Sequence, residues 1–270
     1  MSAANQRTIQ PGLVSVTFRS HSAKQIVELA VDAHLAAIEW GGDVHVPHGN
    51  LAAARAVRRM SEDHGLAVSA YGSYYRPESA TGTNPTADAV LDTAAELGSR
   101  FVRVWAGTRG SGEASPGDRA AVAEQLALCC DRAAERNLIV ATEFHGGTLT
   151  DDVDSCLRLL DEVNRANLRT FWQPPNGMDP SAALSGLQRV RHRLAHLHVF
   201  HWWPDHLHRH ALAEGADRWP AYLQAAADQS AADGESRYAS LEFVRDDNVD
   251  QFRRDAATLC AWLGNIGEST

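Results

Sequence analysis

The sequence predicts a single (β/α)8 barrel, with residues 1–270 forming one domain. Three observations lead there. Short runs rich in β-branched and aromatic residues alternate with amphipathic stretches, and they do so eight times. The glycine signatures of the main open-sheet competitors are missing: no G-x-G-x-x-G follows the first run and no G-x-x-x-x-G-K-[ST] occurs anywhere. A chain of 270 residues with 44% hydrophobic content is long enough for one closed barrel and its core.

Taken in order, the predicted strands are residues 13–18, 37–40, 67–71, 101–106, 139–143, 168–172, 194–198 and 238–242. Between them lie segments rich in Ala, Leu, Arg and Glu. In the segment 118–136, Val122, Leu126, Cys129 and Ala133 recur at spacings of three and four, which puts one apolar stripe on a helix. His64-Gly65 and Leu97-Gly98 read as helix stops. Asp151-Asp152 supplies acidic residues near one helix start, and Asp179-Pro180 reads as an N-cap followed by proline in the first turn. The irregular stretch 200–217 is rich in His and Trp, unlike a Gly/Ser linker, and its length marks it as either a functional lid or a disordered excursion.

Composition narrows the chemistry. The net charge is −9 with no dense basic block, which argues against a nucleic-acid partner. Of the 25 basic residues only Lys24 is a lysine, so Schiff-base chemistry has a poor candidate. Cys129, Cys130, Cys156 and Cys260 form no C-x-x-C pair and read as buried reduced thiols on helices. The first dozen residues lack an apolar leader core, and no apolar run reaches membrane-spanning length. The expectation is a soluble cytoplasmic protein without membrane contact.

In a barrel of this kind, chemistry collects at the C-terminal strand ends. Reading those ends gives Glu39-Trp40, Tyr71, Arg103 with Trp105, Glu143 with His145, Gln173 through Asn176, His196 with His198, and Glu242 with Arg245. Two carboxylates facing each other across a confined mouth are costly without a cation between them. Carboxylate and imidazole ligands suit Mn, Mg, Co or Zn. The loop histidines His201, His206, His208 and His210 invite a second metal, although such loops are usually only solvated.

The strings GLVSVTF from Gly12, IEWGGDVH from Ile38, AYGSYYR from Ala70, RVWAGTRG from Arg103 and EFH from Glu143 resemble the xylose-isomerase-like barrel superfamily. So do WQPP from Trp172, HLHVFHW from His196 and LEFVRDD from Leu241, and the narrower likeness is to the sugar phosphate isomerase/epimerase branch. The resemblance runs along nearly the whole chain. It implies one divalent metal ion held by Glu143, Gln173, His198 and Glu242, with Gln173 standing where the epimerases carry Asp and Asn176 where they carry His. It further implies Glu143 and Glu242 as catalytic acid and base in proton abstraction next to a carbonyl, through an enediolate. Glu39, Trp40, Tyr71, Trp105, His145, Asn176, Trp202 and Arg245 are the expected substrate-binding residues, and His196 a packing neighbour. The substrate expected is a small sugar or sugar derivative, and a homodimer is the expected assembly. A lyase or dehydratase on the same scaffold and a non-catalytic sugar binder are the alternatives. An AP-endonuclease role fits poorly, because the chain is acidic.

Overall fold

The computed structural model describes residues 8–78 and 84–266. Eight parallel strands close into a barrel in sequential order: β1 (Ile9–Val14), β2 (Ala37–Gly41), β3 (Ala67–Gly72), β4 (Phe101–Val104), β5 (Ile139–Thr142), β6 (Leu168–Trp172), β7 (Leu194–Val199) and β8 (Arg237–Leu241). The register closes where β1 pairs with β8, Ile9 opposite Arg237 and Leu13 opposite Leu241. Eight helices pack outside: α1 (Ala23–Asp32), α2 (Leu51–Asp63), α3 (Ala87–Leu97), α4 (Pro116–Ala134), α5 (Val153–Val163), α6 (Pro180–Val190), α7 (Trp219–Asp233) and α8 (Val249–Gly264). No helix among the described residues is long and apolar enough to cross a membrane.

The local signals act as their chemistry dictates. Asp152 caps α5 by accepting from the Asp154 and Ser155 amides, and Asp179 caps α6 through the Ser181 and Ala182 amides with Pro180 in the first turn. Gly98 ends α3 in the left-handed region at φ 78°, where a side chain would be strained. Cys129, Cys130 and Cys156 are buried free thiols, whereas Cys260 on α8 is only partly buried.

Two expectations need correction. The first strand is not 13–18: it begins at Ile9, and Ser15–Phe18 is a buried 3₁₀ turn at the C-terminal mouth. A Cβ at position 12 would stand 2.6 Å from Ser240 Oγ and 3.2 Å from the Ala37 carbonyl oxygen. Glycine is what lets β1 sit between β2 and β8. The stretch 200–217 is also more ordered than expected. Trp202 and Arg209 form an antiparallel bridge, making a hairpin above β7, and Leu212–Gly215 is a 3₁₀ turn.

Candidate active site

Alternation along the strands sends Glu39, Arg103, Glu143, Gln173, His198 and Glu242 to one level near the C-terminal end of the barrel interior. All six are buried. Arg103 links two of the acids: Nε donates to Glu39 Oε1 at 2.6 Å, and Nη1 donates to Glu143 Oε2. Trp105 Nε1 donates to the same Glu143 oxygen at 2.6 Å. Glu143 Oε1 is left facing His198 Nδ1 at 3.8 Å, and Glu242 Oε2 lies 3.5 Å from that nitrogen. Gln173 Oε1 is 3.0 Å from it as well, while His198 Nε2 meets Glu39 Oε2 at 3.0 Å. Gly72 makes room for this crowding, since a Cβ there would lie 2.7 Å from Arg103 Nη2 and 2.8 Å from Glu39 Oε1.

The electrostatics follow from the contacts. Burial opposes ionisation of Glu39, but Arg103 and His198 outweigh it and hold the carboxyl down at about 2. Burial also opposes protonation of His198, and the Glu242 and Glu39 carboxylates overcome it, lifting the imidazole to about 9. Glu242 is pushed up, by burial first and by Glu143 and Glu39 next, with His198 pulling the other way. Against burial, Glu143 and Glu39 hold Arg103 firmly protonated.

Ligand atoms of Glu143, His198 and Glu242 all fall within 4.8 Å of one another, a separation that a single metal ion can bridge. Three carboxylates face one guanidinium and one imidazole. With the imidazole neutral, as a metal ligand must be, two negative charges remain uncompensated, which is the charge a divalent cation supplies. The Glu39–His198 contact has the form of a carboxylate fixing the far nitrogen of a metal-binding imidazole. The residues therefore fit a divalent ion, and the loop histidines do not add a second. His208 pairs with Asp205 at 2.9 Å and His210 with Glu214 at 3.5 Å, without converging on each other.

Above this level opens a cavity of about 630 Å³, whose walls include His145, Gln173, Asn176, Trp202, Arg209 and Phe243. His145 stacks on Trp105 with centroids 4.3 Å apart, and its Nδ1–H donates to the Gly146 carbonyl at 2.7 Å, so Nε2 carries the lone pair of the neutral ring. Thus Glu143, His145, Gln173, Asn176, His198, Trp202 and Glu242 are brought together, with Trp105 and Glu39 bracing them.

Three expected substrate residues are not brought there. Trp40 turns outward and donates from Nε1 to Ser61 Oγ on α2 at 3.2 Å. Tyr71 also turns outward, its hydroxyl donating to the Val46 carbonyl at 2.8 Å and meeting His48 Nδ1 at 2.7 Å. Both are fully buried. Arg245 faces α8 and the 3₁₀ turn before α7, with Nη2 on Gln251 Oε1 at 3.2 Å and Nη1 3.6 Å from Glu214. Sequence reasoning named Arg103 at its strand end without giving it a role, and it missed Arg209. Arg103 sits one pleat from Phe101 and Trp105 on an inward-facing run, a parity signal that was available. Arg209 is visible only once the hairpin is folded.

The chain belongs to the xylose isomerase-like TIM barrel family, whose model matches residues 27–264. A 3-dehydroshikimate dehydratase of Bacillus anthracis is 32% identical over 103 residues, covering 36% of this chain and 35% of that protein. The aligned stretch thus spans about a third of that relative's length. Two solved structures share the fold. The probable 3-DHS dehydratase AsbF from Bacillus anthracis, involved in petrobactin synthesis, superposes with a TM-score of 0.75 at 21% identity, covering 93% of this chain and 98% of that one. An L-ribulose 3-epimerase gives a TM-score of 0.70 at 17% identity, with 95% of each chain covered.

Proposed function

We propose that this barrel is a metal-dependent lyase that removes water from a small, hydroxylated, carbonyl-bearing substrate. The observation that carries this reading is the asymmetry of the two glutamates and the placement of His145. Glu143 has one carboxylate oxygen tied to both Arg103 and Trp105, which fits a fixed ligand better than a mobile base. Half-buried His145 lines the cavity with its Nε2 lone pair free. One base on one side of the substrate suits elimination; inverting a carbon centre needs an acid and a base on opposite faces.

In this reading Glu143, His198 and Glu242 hold the divalent ion, and Gln173 turns its amide oxygen toward the same point. When bound, the ion polarises the substrate carbonyl as a Lewis acid, easing loss of the adjacent proton. His145 Nε2 takes that proton. The C–H electron pair becomes the new C=C bond as the β C–O bond breaks, and the His145 imidazolium returns the proton to the departing oxygen as water. Trp202 and Phe243 cover the cavity with apolar surface.

The partial similarity to a 3-dehydroshikimate dehydratase favours the same reaction class. Incubating the protein with 3-dehydroshikimate and Mn²⁺ or Mg²⁺ tests it, since dehydration and enolisation give an aromatic product seen by ultraviolet absorbance. Absence of product together with no divalent ion bound in native mass spectrometry would defeat the reading. An epimerase is the second reading, because the Glu242 carboxylate is held only by a 3.5 Å contact with His198 Nδ1 and can serve as a second base. Deuterium uptake by a ketose from D2O without water loss would favour it. The metal assignment has its own check: Gln173→Asp adds a charged ligand and is expected to tighten Mn²⁺ binding about tenfold by calorimetry. Unchanged affinity would remove Gln173 from the ligand set.

A further inference from the structure

We infer that Arg209 reads a carboxylate on the substrate, making the cavity selective for an organic acid over a neutral sugar. This rests on the lyase reading and adds the part of the substrate that the reacting atoms do not define.

The argument starts from charge. The buried level at the base of the cavity carries three carboxylates, and Asp151 adds another acidic group to the wall. With Arg103 and a divalent ion balancing those carboxylates, no net positive charge is left at this level for an anionic substrate, whose charge calls for a separate cation. Arg103 is tied through Nε to Glu39 and through Nη1 to Glu143, which leaves only Nη2 without a partner, buried beside Gly72. Arg19 is also occupied, bonding Asp43 at 3.0 Å, the Tyr74 hydroxyl at 2.9 Å and the Val16 carbonyl at 3.3 Å. Arg245 faces α8 instead.

Arg209 differs on each count. It lines the cavity, and its one hydrogen bond runs from Nη1 to Asp247 Oδ1 at 2.8 Å, on a carboxylate that is itself largely exposed. Its Nε and Nη2 make no hydrogen bond among the described residues, which leaves one edge of the guanidinium fork available. Two rings hold that plane: the guanidinium carbon is 5.2 Å from the Phe243 centroid and 5.7 Å from that of Trp202. The bridge between Trp202 and Arg209 ties the hairpin, and Trp202 Nε1 donates to the Phe243 carbonyl at 3.3 Å. Phe243 directly follows Glu242, so the ring that holds Arg209 is carried by the residue next to a metal-binding carboxylate. In this arrangement the substrate carbonyl lies at the base of the cavity and its carboxylate at Arg209.

Calorimetry with shikimate and its uncharged methyl ester, on wild type and Arg209→Gln with Mg²⁺ present, tests this without requiring turnover. Wild type is expected to bind the acid at least about tenfold more tightly than the ester, and Arg209→Gln to lose that preference. Circular dichroism checks that the variant is folded, and Arg209→Lys should keep part of the preference. Equal binding of acid and ester by wild type, a preference surviving in Arg209→Gln, or binding of neither at millimolar concentration would each overturn the assignment. If the preference for the acid holds but 3-dehydroshikimate is not dehydrated and no divalent ion binds, the lyase reading fails and the carboxylate assignment stands.

Discussion

His196 and His198 stand two residues apart on β7, face the same barrel interior, and are held in opposite protonation states. Around His196 the barrel is apolar: its ring lies 4.5 Å from that of Phe101 and 5.4 Å from that of Phe171, beside a small cluster of Ala70, Ala141, Phe171 and Ala195. Its Nε2–H donates to the Ser69 carbonyl at 3.2 Å and its Nδ1 accepts from the Tyr238 amide at 3.3 Å, which satisfies the neutral ring completely. Burial then lowers it to about 4. One level higher, both nitrogens of His198 face oxygens, of Glu39 and of Gln173, and the ring is held as imidazolium until a cation replaces the Nδ1 proton. The same strand and the same residue type give a packing histidine and a ligand histidine. What separates them is whether the neighbouring strands contribute rings or carboxylates.

The sharpest way to break this contrast is to remove the cation that the upper level depends on. Arg103→Leu leaves buried Glu39 with His198 and buried Glu143 with Trp105 but removes the guanidinium between them, and is expected to cost about 3–5 kcal/mol in urea unfolding of the metal-free protein. A loss below about 1 kcal/mol would mean that the two carboxylates are compensated elsewhere. Glu242→Gln should act in the opposite direction on stability. Here the substitution removes an excess negative charge, so the metal-free protein should unfold at the same or a higher urea concentration. Turnover should nevertheless fall at least about 100-fold and metal affinity should drop. Wild-type kcat in this variant would refute the role of Glu242.

Titration separates the two levels again, with opposite signs. The folded-state value of His198, about 9, lies above the unfolded value near 6.5, so its contribution is complete below about pH 6.5 and is lost as pH rises through 9. The folded-state value of His196, about 4, lies below it. The unfolded chain therefore takes up a proton first, and stability falls as pH drops from about 6.5 toward 4. Each swing is on the order of 3 kcal/mol in the metal-free protein. Unfolding profiles should show His198→Asn flattening the alkaline limb and His196→Asn the acid limb. If both substitutions flattened the same limb, the two environments would not differ as described.

The barrel itself was legible because alternating strand and helix patterns survive any error at their ends. The expected first strand began at residue 13, whereas β1 starts at Ile9 and runs through Pro11-Gly12, where the closeness of Ser240 and Ala37 makes glycine necessary. Glu143, His198 and Glu242 were found because strand ends gather by topology. Which neighbour of each points inward was harder to read. A period of two makes Glu39 and Trp40 equally good candidates until the register with β3 is known, and that pairing carries an irregularity between Ile38 and Glu39. Arg209 was out of reach for a different reason, since its place depends on a hairpin closed by Trp202 rather than on any strand.

Tyr71 supplies the smallest and cleanest test of that parity argument. The residue was expected to touch substrate, yet its hydroxyl is spent on the Val46 carbonyl and His48 outside the barrel wall. Tyr71→Phe removes those bonds and keeps the ring, so it is expected to lower stability by about 1 kcal/mol. Because the ring faces away from the cavity, KM and kcat should both stay within about twofold of wild type. A KM that rises tenfold with unchanged stability would put Tyr71 back among the substrate contacts. It would also mean that the parity of β3, and with it the inward placement of Gly72 beside Arg103 and Glu39, is wrong.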